Sequence, residues 1–418
     1  MSLANGPTVR APIVSVEDAR EIVMADATAL ATERVRLNDA RGRVTSGAVT
    51  AGADVPGFDS SAMDGFAVRT EDVHAASREN PVGLTLVGES RAGLPWTGLL
   101  GAGEATGIST GAMVPEGADA ILRLENVAFP ASGIVVSEAV RPGHDIRRRG
   151  EVTRVGDLLV DSGVRLGLVE MGLLATAGCG LVNCGRRPSV AVLSSGDELV
   201  EPGSPLEPGQ IWNSNSYVIS ELVRDAGGEV VRKEKVADRR ESTRDALKRA
   251  FDSDLVLICG GVSVGDHDHV QPALAELGVQ PRFRGIDLNP GRPAWYGIQG
   301  ETKVLALPGN PVSAVVVFLL LADPMIRALC GERPQSVRTT GRLAATVIRH
   351  ESRTRAVLSQ ITAEHAVGNL LPVAQLGSHD FISLREARCF ALIPPGSGRA
   401  EAGEVVETMS FGSVTDVR

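Results

Sequence analysis

Apolar positions between residues 188 and 333 come in short blocks of two alternating kinds. Residues 189–193, 229–236, 254–259 and 303–307 are Val-, Leu- and Ile-rich runs that read as strands, whereas residues 217–225, 242–251 and a segment from Val312 read as helices. Strands alternating with helices imply parallel pairing with both faces covered, a doubly wound α/β unit. Upstream, residues 16–30 set Ile22, Val23, Met24 and Leu30 among acidic and small residues, and Val16-Glu17-Asp18 reads as a helix start. Residues 166–176 give a second helical pattern, expected to return beside the first. Between the two, residues 44–161 break into short apolar runs punctuated by Gly and Pro, such as residues 82–87 and 133–136, the texture of a β-rich region. After Pro334 the apolar segments 343–348, 356–361 and 389–393 lack helical spacing and predict a closing β-barrel or sandwich.

Composition narrows the classes. A chain of 418 residues exceeds one compact domain, and 43% hydrophobic residues supply real cores. Lys and Arg number 42 against 51 Asp and Glu, a net charge of -9 that repels nucleic-acid phosphates and anionic lipid. With 3% aromatic residues there is also little material for a base-stacking surface, so no nucleic-acid partner is expected. Cysteines 179, 184, 259, 330 and 389 form no Cys-x-x-Cys pair and are odd in number, which suits a reducing compartment. The first residues lack the basic-then-apolar layout of a signal peptide, and the longest apolar run, residues 314–322, is too short for a transmembrane segment. A cytoplasmic protein is expected.

In an open parallel sheet, ligands bind beyond the carboxyl ends of the strands, so the loops there carry the candidate chemistry. Ser194-Ser195-Gly196-Asp197-Glu198-Leu199 sets two hydroxyls beside two adjacent carboxylates. Gly260-Gly261-Val262-Ser263-Val264-Gly265-Asp266 lets backbone N–H groups approach an anion, and Pro308-Gly309-Asn310-Pro311-Val312-Ser313 opens a helix. Each alone is also an ordinary strand-to-helix turn, since Gly, Ser, Asp and Asn are the usual turn and cap residues. Three at one sheet edge describe a pocket for a phosphorylated ligand and a divalent cation. No Gly-x-x-x-x-Gly-Lys-Ser/Thr loop is present and no Gly-x-Gly-x-x-Gly opens the first helix, which sets aside P-loop and ordinary dinucleotide readings. Asp266-His267-Asp268-His269 alternates two metal-binding types, but neighbours on an extended segment face opposite ways, which favours a carboxylate-lined Mg²⁺ site over bound zinc. Residues 56–67, with Asp64 among small and polar neighbours, residues 110–120, and Arg147-Arg148-Arg149 read alone as loops or a solvated face.

Taken in order, Ser61-Ala62-Met63-Asp64-Gly65, Thr110-Gly111-Ala112, Ile146-Arg147-Arg148-Arg149-Gly150-Glu151, Ser195-Gly196-Asp197-Glu198-Leu199, the Gly260 loop and Leu307-Pro308-Gly309-Asn310-Pro311-Val312-Ser313 resemble the MoeA family of molybdopterin molybdenumtransferases, which includes the C-terminal part of gephyrin. Gly377-Ser378-His379, near Ser383, resembles the family's late Gly-Ser-His segment. The resemblance implies a multidomain α+β chain with a central doubly wound α/β (MogA-like) domain over 187–332. Around it stand a discontinuous helical domain over 13–49 and 149–186, an inserted β-rich domain over 50–148 and a C-terminal β-barrel over 333–418. It also implies an elongated homodimer whose active site lies between the α/β domain of one subunit and the β-rich domain of the other, with Asp64 and Thr110 supplied in trans. The implied reaction inserts molybdenum from molybdate into adenylylated molybdopterin and releases AMP, with Mg²⁺ as cofactor and a molybdopterin adenylyltransferase upstream.

By matching position, Asp64, Glu198, Asp268 and Arg292 are the expected catalytic residues, and Asp64, Glu198, Asp266 and Asp268 the expected metal ligands. Thr110, Ser195, Gly196, Asp197, Gly260, Gly261, Ser263, Asn289, Pro308, Gly309, Asn310, Pro311 and Ser313 are expected to line the ligand pocket. Two departures stand out. Asn289-Pro290-Gly291-Arg292-Pro293 replaces the family's Lys-Pro-Gly-Lys-Pro, so one cation is neutral and the other a guanidinium, and Gly150-Glu151-Val152 replaces Gly-Glu-Asp. These departures keep a second expectation open, a catalytically weakened gephyrin-like scaffold that binds a peptide of a membrane or cell-division partner, such as a protein receptor.

Overall fold

The computed structural model of the chain describes residues 11–129, 133–261, 269–334, 339–362 and 368–411. A sheet of six strands runs in the order Glu229–Val236, Ser189–Ser195, Leu255–Cys259, Thr302–Leu307, Trp295–Gln299, Gln280–Arg284. The first four pair in parallel, as the alternating pattern predicts. The last two are antiparallel and were not legible. Trp295–Gln299 joins its neighbour through the tight Gly300-Glu301 turn, with Gly300 at φ +59°, and Gln280–Arg284 carries Pro281, which an edge strand tolerates.

Alternate side chains of the central strands bury on opposite faces. Val190, Val192, Leu255, Leu257, Leu305 and Leu307 face one core, while Ala191, Leu193, Val256, Ile258, Val304 and Ala306 face the other. Helices Ser214–Ala226 and Pro311–Val317 supply the first core, and Arg240–Ala250 and Val270–Glu276 the second. The helix begun by Pro311 runs on to Leu329, well past the apolar run seen in the sequence. By length and composition its 19 residues could cross a membrane, yet 72% of that apolar stretch is buried in the protein, so the core accounts for its hydropathy.

The N-terminal helix, Val16–Ala25, is shorter than the pattern suggests and starts where Ser15 Oγ accepts from Asp18 N at 3.0 Å. Its Val16, Ala19 and Val23 join the first α/β core beside Phe283 and Ile286. Helix Leu168–Thr176 packs elsewhere, burying Leu174 among Val35, Ala40, Leu166 and Val182, so the two helices, expected side by side, bury in different cores. Strand pairing joins those regions instead: Thr32–Arg36 lies antiparallel to Leu181–Gly185, and Val49–Thr50 pairs with Leu158–Val160.

The β-rich region holds a second six-stranded sheet in which Gly65–Val68 lies between Ala120–Arg123 and Glu104–Ile108. Near the C-terminus, Thr354–Thr362, Asn369–Pro372, Thr340–Leu343, Val405–Ser410 and Cys389–Ile393 close on one another, so the closing domain is a barrel and not a sandwich. Leu288–Asn289 pairs in parallel with Thr354 and Arg355, which docks the barrel against the edge of the α/β unit.

Candidate functional site

The carboxyl ends of Ser189–Ser195, Leu255–Cys259 and Thr302–Leu307 open on a cleft of about 900 Å³, bounded on one side by the barrel. Ser195 and Glu198 come from the first strand-end loop, and Gly260 and Gly261 from the second. Pro308, Gly309, Asn310, Pro311 and Ser313 form the third, with Asn289 and Arg292 arriving from the segment that meets the barrel. Gly196 and Asp197 belong to the first loop without lining the cleft. Ser263, Asp266 and Asp268 lie outside the described residues.

Close approach explains the second loop. Gly260 sits at φ +87° and Gly261 at φ +66°; a Cβ on Gly260 would stand 2.9 Å from the Ser195 carbonyl, and one on Gly261 2.4 Å from Val270 Cγ2. The bare backbone therefore packs against the first loop and Val270, and the Gly260 N–H is taken by the Leu307 carbonyl at 3.1 Å.

The third loop is pinned from two sides. Asn215 Nδ2 donates to the Gly309 carbonyl at 2.7 Å, and Asn310 Nδ2 donates to Ser378 Oγ at 2.8 Å. Asn213, Asn215, Trp212, Arg353, Ser378 and His379 also line the cleft. None of these six is marked by a strand-end loop in the sequence, and Ser378 and His379 are signalled there through the family's Gly-Ser-His segment.

Asp238 is the most informative omission. Ser195 Oγ donates to Asp238 Oδ1 at 2.6 Å, Asp197 N donates to Asp238 Oδ2 at 3.3 Å, and Asp238 N donates to Asp197 Oδ1 at 3.1 Å. The carboxylate follows strand Glu229–Val236, and that strand-end position is its one signal in the sequence, since the Asp238-Arg239 turn carries no glycine. Ser194 Oγ, buried at the carboxyl end of the neighbouring strand Ser189–Ser195, has no hydrogen-bond partner among the described residues.

The cleft carries charges of both signs. Arg292 and Arg353 are its guanidinium groups, and Glu198 and Asp238 its carboxylates. Burial pushes the Cys259 thiol up to about 12, so the one sulfur at the cleft floor stays protonated near neutrality and is no nucleophile.

Asp64 and Thr110 stand apart, in the β-rich region. Thr110 N donates to Asp64 Oδ1 at 2.7 Å, and neither residue lines this chain's own cleft. Among the described residues, no three side chains of the metal-ligating types gather at one point.

Residues 14–178 match the family model for the MoeA N-terminal region (domain I and II), residues 191–328 that for a probable molybdopterin binding domain, and residues 340–411 that for the MoeA C-terminal region (domain IV). The molybdopterin molybdenumtransferase of Haemophilus influenzae is 34% identical over 385 residues, covering 91% of this chain and 94% of that protein. The chain belongs to the MoeA family. The Bacillus subtilis molybdopterin molybdenumtransferase is 33% identical over 386 residues, 90% of this chain and 89% of its own length. The crystal structure of a molybdopterin biosynthesis MoeA protein from Pyrococcus horikosii superimposes with a TM-score of 0.81 at 32% identity, covering 96% of this chain and all of that one. These MoeA relatives bear the transferase name and lend nothing to the peptide-binding scaffold expectation. Of the two departures from the MoeA pattern, Asn289 lies in the cleft, whereas Val152 is exposed on the segment beside Val55 and does not line it.

Proposed function

We propose that this chain is an enzyme of molybdenum cofactor biosynthesis that transfers molybdenum from molybdate to the dithiolene of adenylylated molybdopterin in the Glu198–Arg292 cleft, with release of AMP. The observation that carries this reading is the convergence of three donor-rich strand-end loops with two guanidinium groups on the barrel side. The Gly261 amide at the second strand end and the Ser313 amide in the first turn of the Pro311 helix suit the phosphates, as N–H donors beside the positive helix end, the Gly260 and Val312 amides being taken by the Leu307 and Ser378 carbonyls. Arg292 and Arg353 suit the tetrahedral oxyanion, where a guanidinium fork gives charge-assisted hydrogen bonds. Ser195, held by Asp238, and Glu198 face the phosphate region.

The described residues of a single chain do not build a Mg²⁺ site. Of the expected ligands among the described residues, Glu198 lines the cleft and Asp64 does not. Asp266 and Asp268, and Asp64 of a second copy, are the proposed remainder.

A homodimer with a shared site fits the Asp64–Thr110 pair, which does not line the strand-end cleft of its own chain. It also fits the exposed apolar side chains Leu168, Val169 and Leu173 on one helix, a patch of the kind that a second copy covers. A cytoplasmic site of action and supply by a molybdopterin adenylyltransferase complete the reading. The test is incubation of the full chain with adenylylated molybdopterin, molybdate and Mg²⁺, with AMP and metallated cofactor quantified. Turnover by the native protein and its abolition in a folded Glu198→Gln variant are expected; full-rate turnover in that variant would remove Glu198 from the chemistry.

A further inference from the structure

Trp212 is the only Trp, Tyr or Phe lining the cleft among the described residues, and it is 52% exposed. It belongs to none of the apolar core clusters, so folding does not account for its place. Its setting is nevertheless fixed. The indole Nε1 donates to the Ser204 carbonyl at 3.1 Å, and the short strand Ile211–Trp212 pairs in parallel with Leu199–Val200, Trp212 opposite Val200. On either side of that pair, Ile211 N donates to the Glu198 carbonyl and Asn213 N to the Val200 carbonyl, each at 2.8 Å. One strap thus holds both the Glu198 backbone and an open, oriented ring face at the cleft. Such a face binds a planar heterocycle at little entropic cost, since the ring is already ordered.

The order of groups along the cleft selects the heterocycle. The barrel side carries Arg353 and Ser378; Ser378 is bonded to Asn310, Gly309 to Asn215, and Asn215 lies in the first turn of the helix that follows Trp212 and the strap. The phosphate-suited loop therefore separates the guanidinium side from the indole. Molybdenum must meet the dithiolene, so the pterin end belongs with the oxyanion, and the nucleotide end belongs with the strap. We propose that Trp212 stacks on the adenine of the adenylyl group and makes the cleft selective for the nucleotide-bearing substrate. This rests on the proposed reaction, since it takes that substrate as given.

The test uses the full chain, with AMP and ribose 5-phosphate as probes in equilibrium dialysis. Trp212→Ala should weaken AMP binding about five- to a hundredfold, the usual range for loss of a base–aromatic stack, and leave ribose 5-phosphate binding unchanged. Trp212→Phe, which keeps a ring, should hold AMP affinity within about threefold of the native value and guards against a folding artefact in the alanine variant. The chain has three tryptophans, so quenching of native fluorescence by AMP should also disappear in Trp212→Phe while binding persists. With the complete substrate, Trp212→Ala should raise KM more than it lowers kcat. Equal AMP affinity in native and alanine proteins, or equal losses for AMP and ribose 5-phosphate, would overturn the stacking role alone. Failure of the native protein to bind either probe would overturn the proposed reaction site along with it.

Discussion

Ser195 Oγ donates to Asp238 Oδ1 across 2.6 Å, tying together the carboxyl ends of two neighbouring parallel strands. The Asp197–Asp238 backbone exchange closes the same knot, so this one carboxylate fixes the loop that carries Glu198. Asp238→Asn keeps the shape and removes the charge. Losing a hydrogen bond to an ionised group costs about 1.5 to 3 kcal/mol, so transfer should slow by about ten- to a hundredfold while the fold persists. AMP release measured beside a circular-dichroism melt checks this; an unchanged rate would leave Asp238 with a merely local role.

The Asp64–Thr110 bond gives a test of the shared site. Asp64→Asn and Glu198→Gln homodimers should each be inactive. Random exchange of subunits should restore about one quarter of native activity, because half the dimers are mixed and each mixed dimer holds one intact site. Mixed samples that stay inactive after exchange has been verified by mass would place Asp64 in the same site as its own chain's Glu198, or in none.

The parts legible in the sequence are those where one local rule decides. Short continuous Val-, Leu- and Ile-rich runs alternating with helical segments marked the parallel strands, and glycine-rich strand ends marked the cleft loops. Asp238, Arg353 and Asn215 were not legible because each reaches the cleft through tertiary placement: Asp238 by strand adjacency, Arg353 by docking of the barrel through Leu288–Asn289, Asn215 by the turn that seats its helix. The first helix was misplaced for a related reason. Its apolar stripe showed that it packs, but the choice between Phe283 and Leu174 as neighbours lies in the Val14–Ile286 bridge, which no periodicity encodes.

Asp254, at the foot of the central strand, should control acid stability. It accepts from Arg186 Nη1 at 2.9 Å and Nη2 at 2.8 Å, and from Ser189 N and Oγ at 2.7 Å. Burial raises its pKa, but the Arg186 guanidinium and both Ser189 donors outweigh this and hold the carboxyl below its ordinary 3.8. A folded pKa below the unfolded one gives stability that is present above the ordinary value and lost as pH falls through the depressed one. Asp254→Asn should therefore be less stable than native protein at pH 7 by about 1.5 to 3 kcal/mol, with the gap closing in acid. Denaturant melts across the acid range check this; parallel curves would refute it.

Asn289 offers a gain-of-function test of the oxyanion end. It lines the cleft with Arg292 and Arg353, on the short strand that docks against the barrel, where the MoeA pattern typically has lysine. Asn289→Lys adds a third cation to that wall, and a charge-assisted contact of about 1.4 kcal/mol corresponds to about tenfold tighter molybdate binding. Because the wall is open to solvent, the gain should shrink as ionic strength rises and the screening length falls. Asn289→Gln lengthens the side chain without charge and should leave affinity near native. Calorimetric titration with molybdate at low and high salt separates the cases. Equal tightening by Gln and Lys would point to reach, while no tightening by Lys at low salt would mean that the oxyanion binds away from Arg292, and the assignment of the barrel side to molybdate would fall.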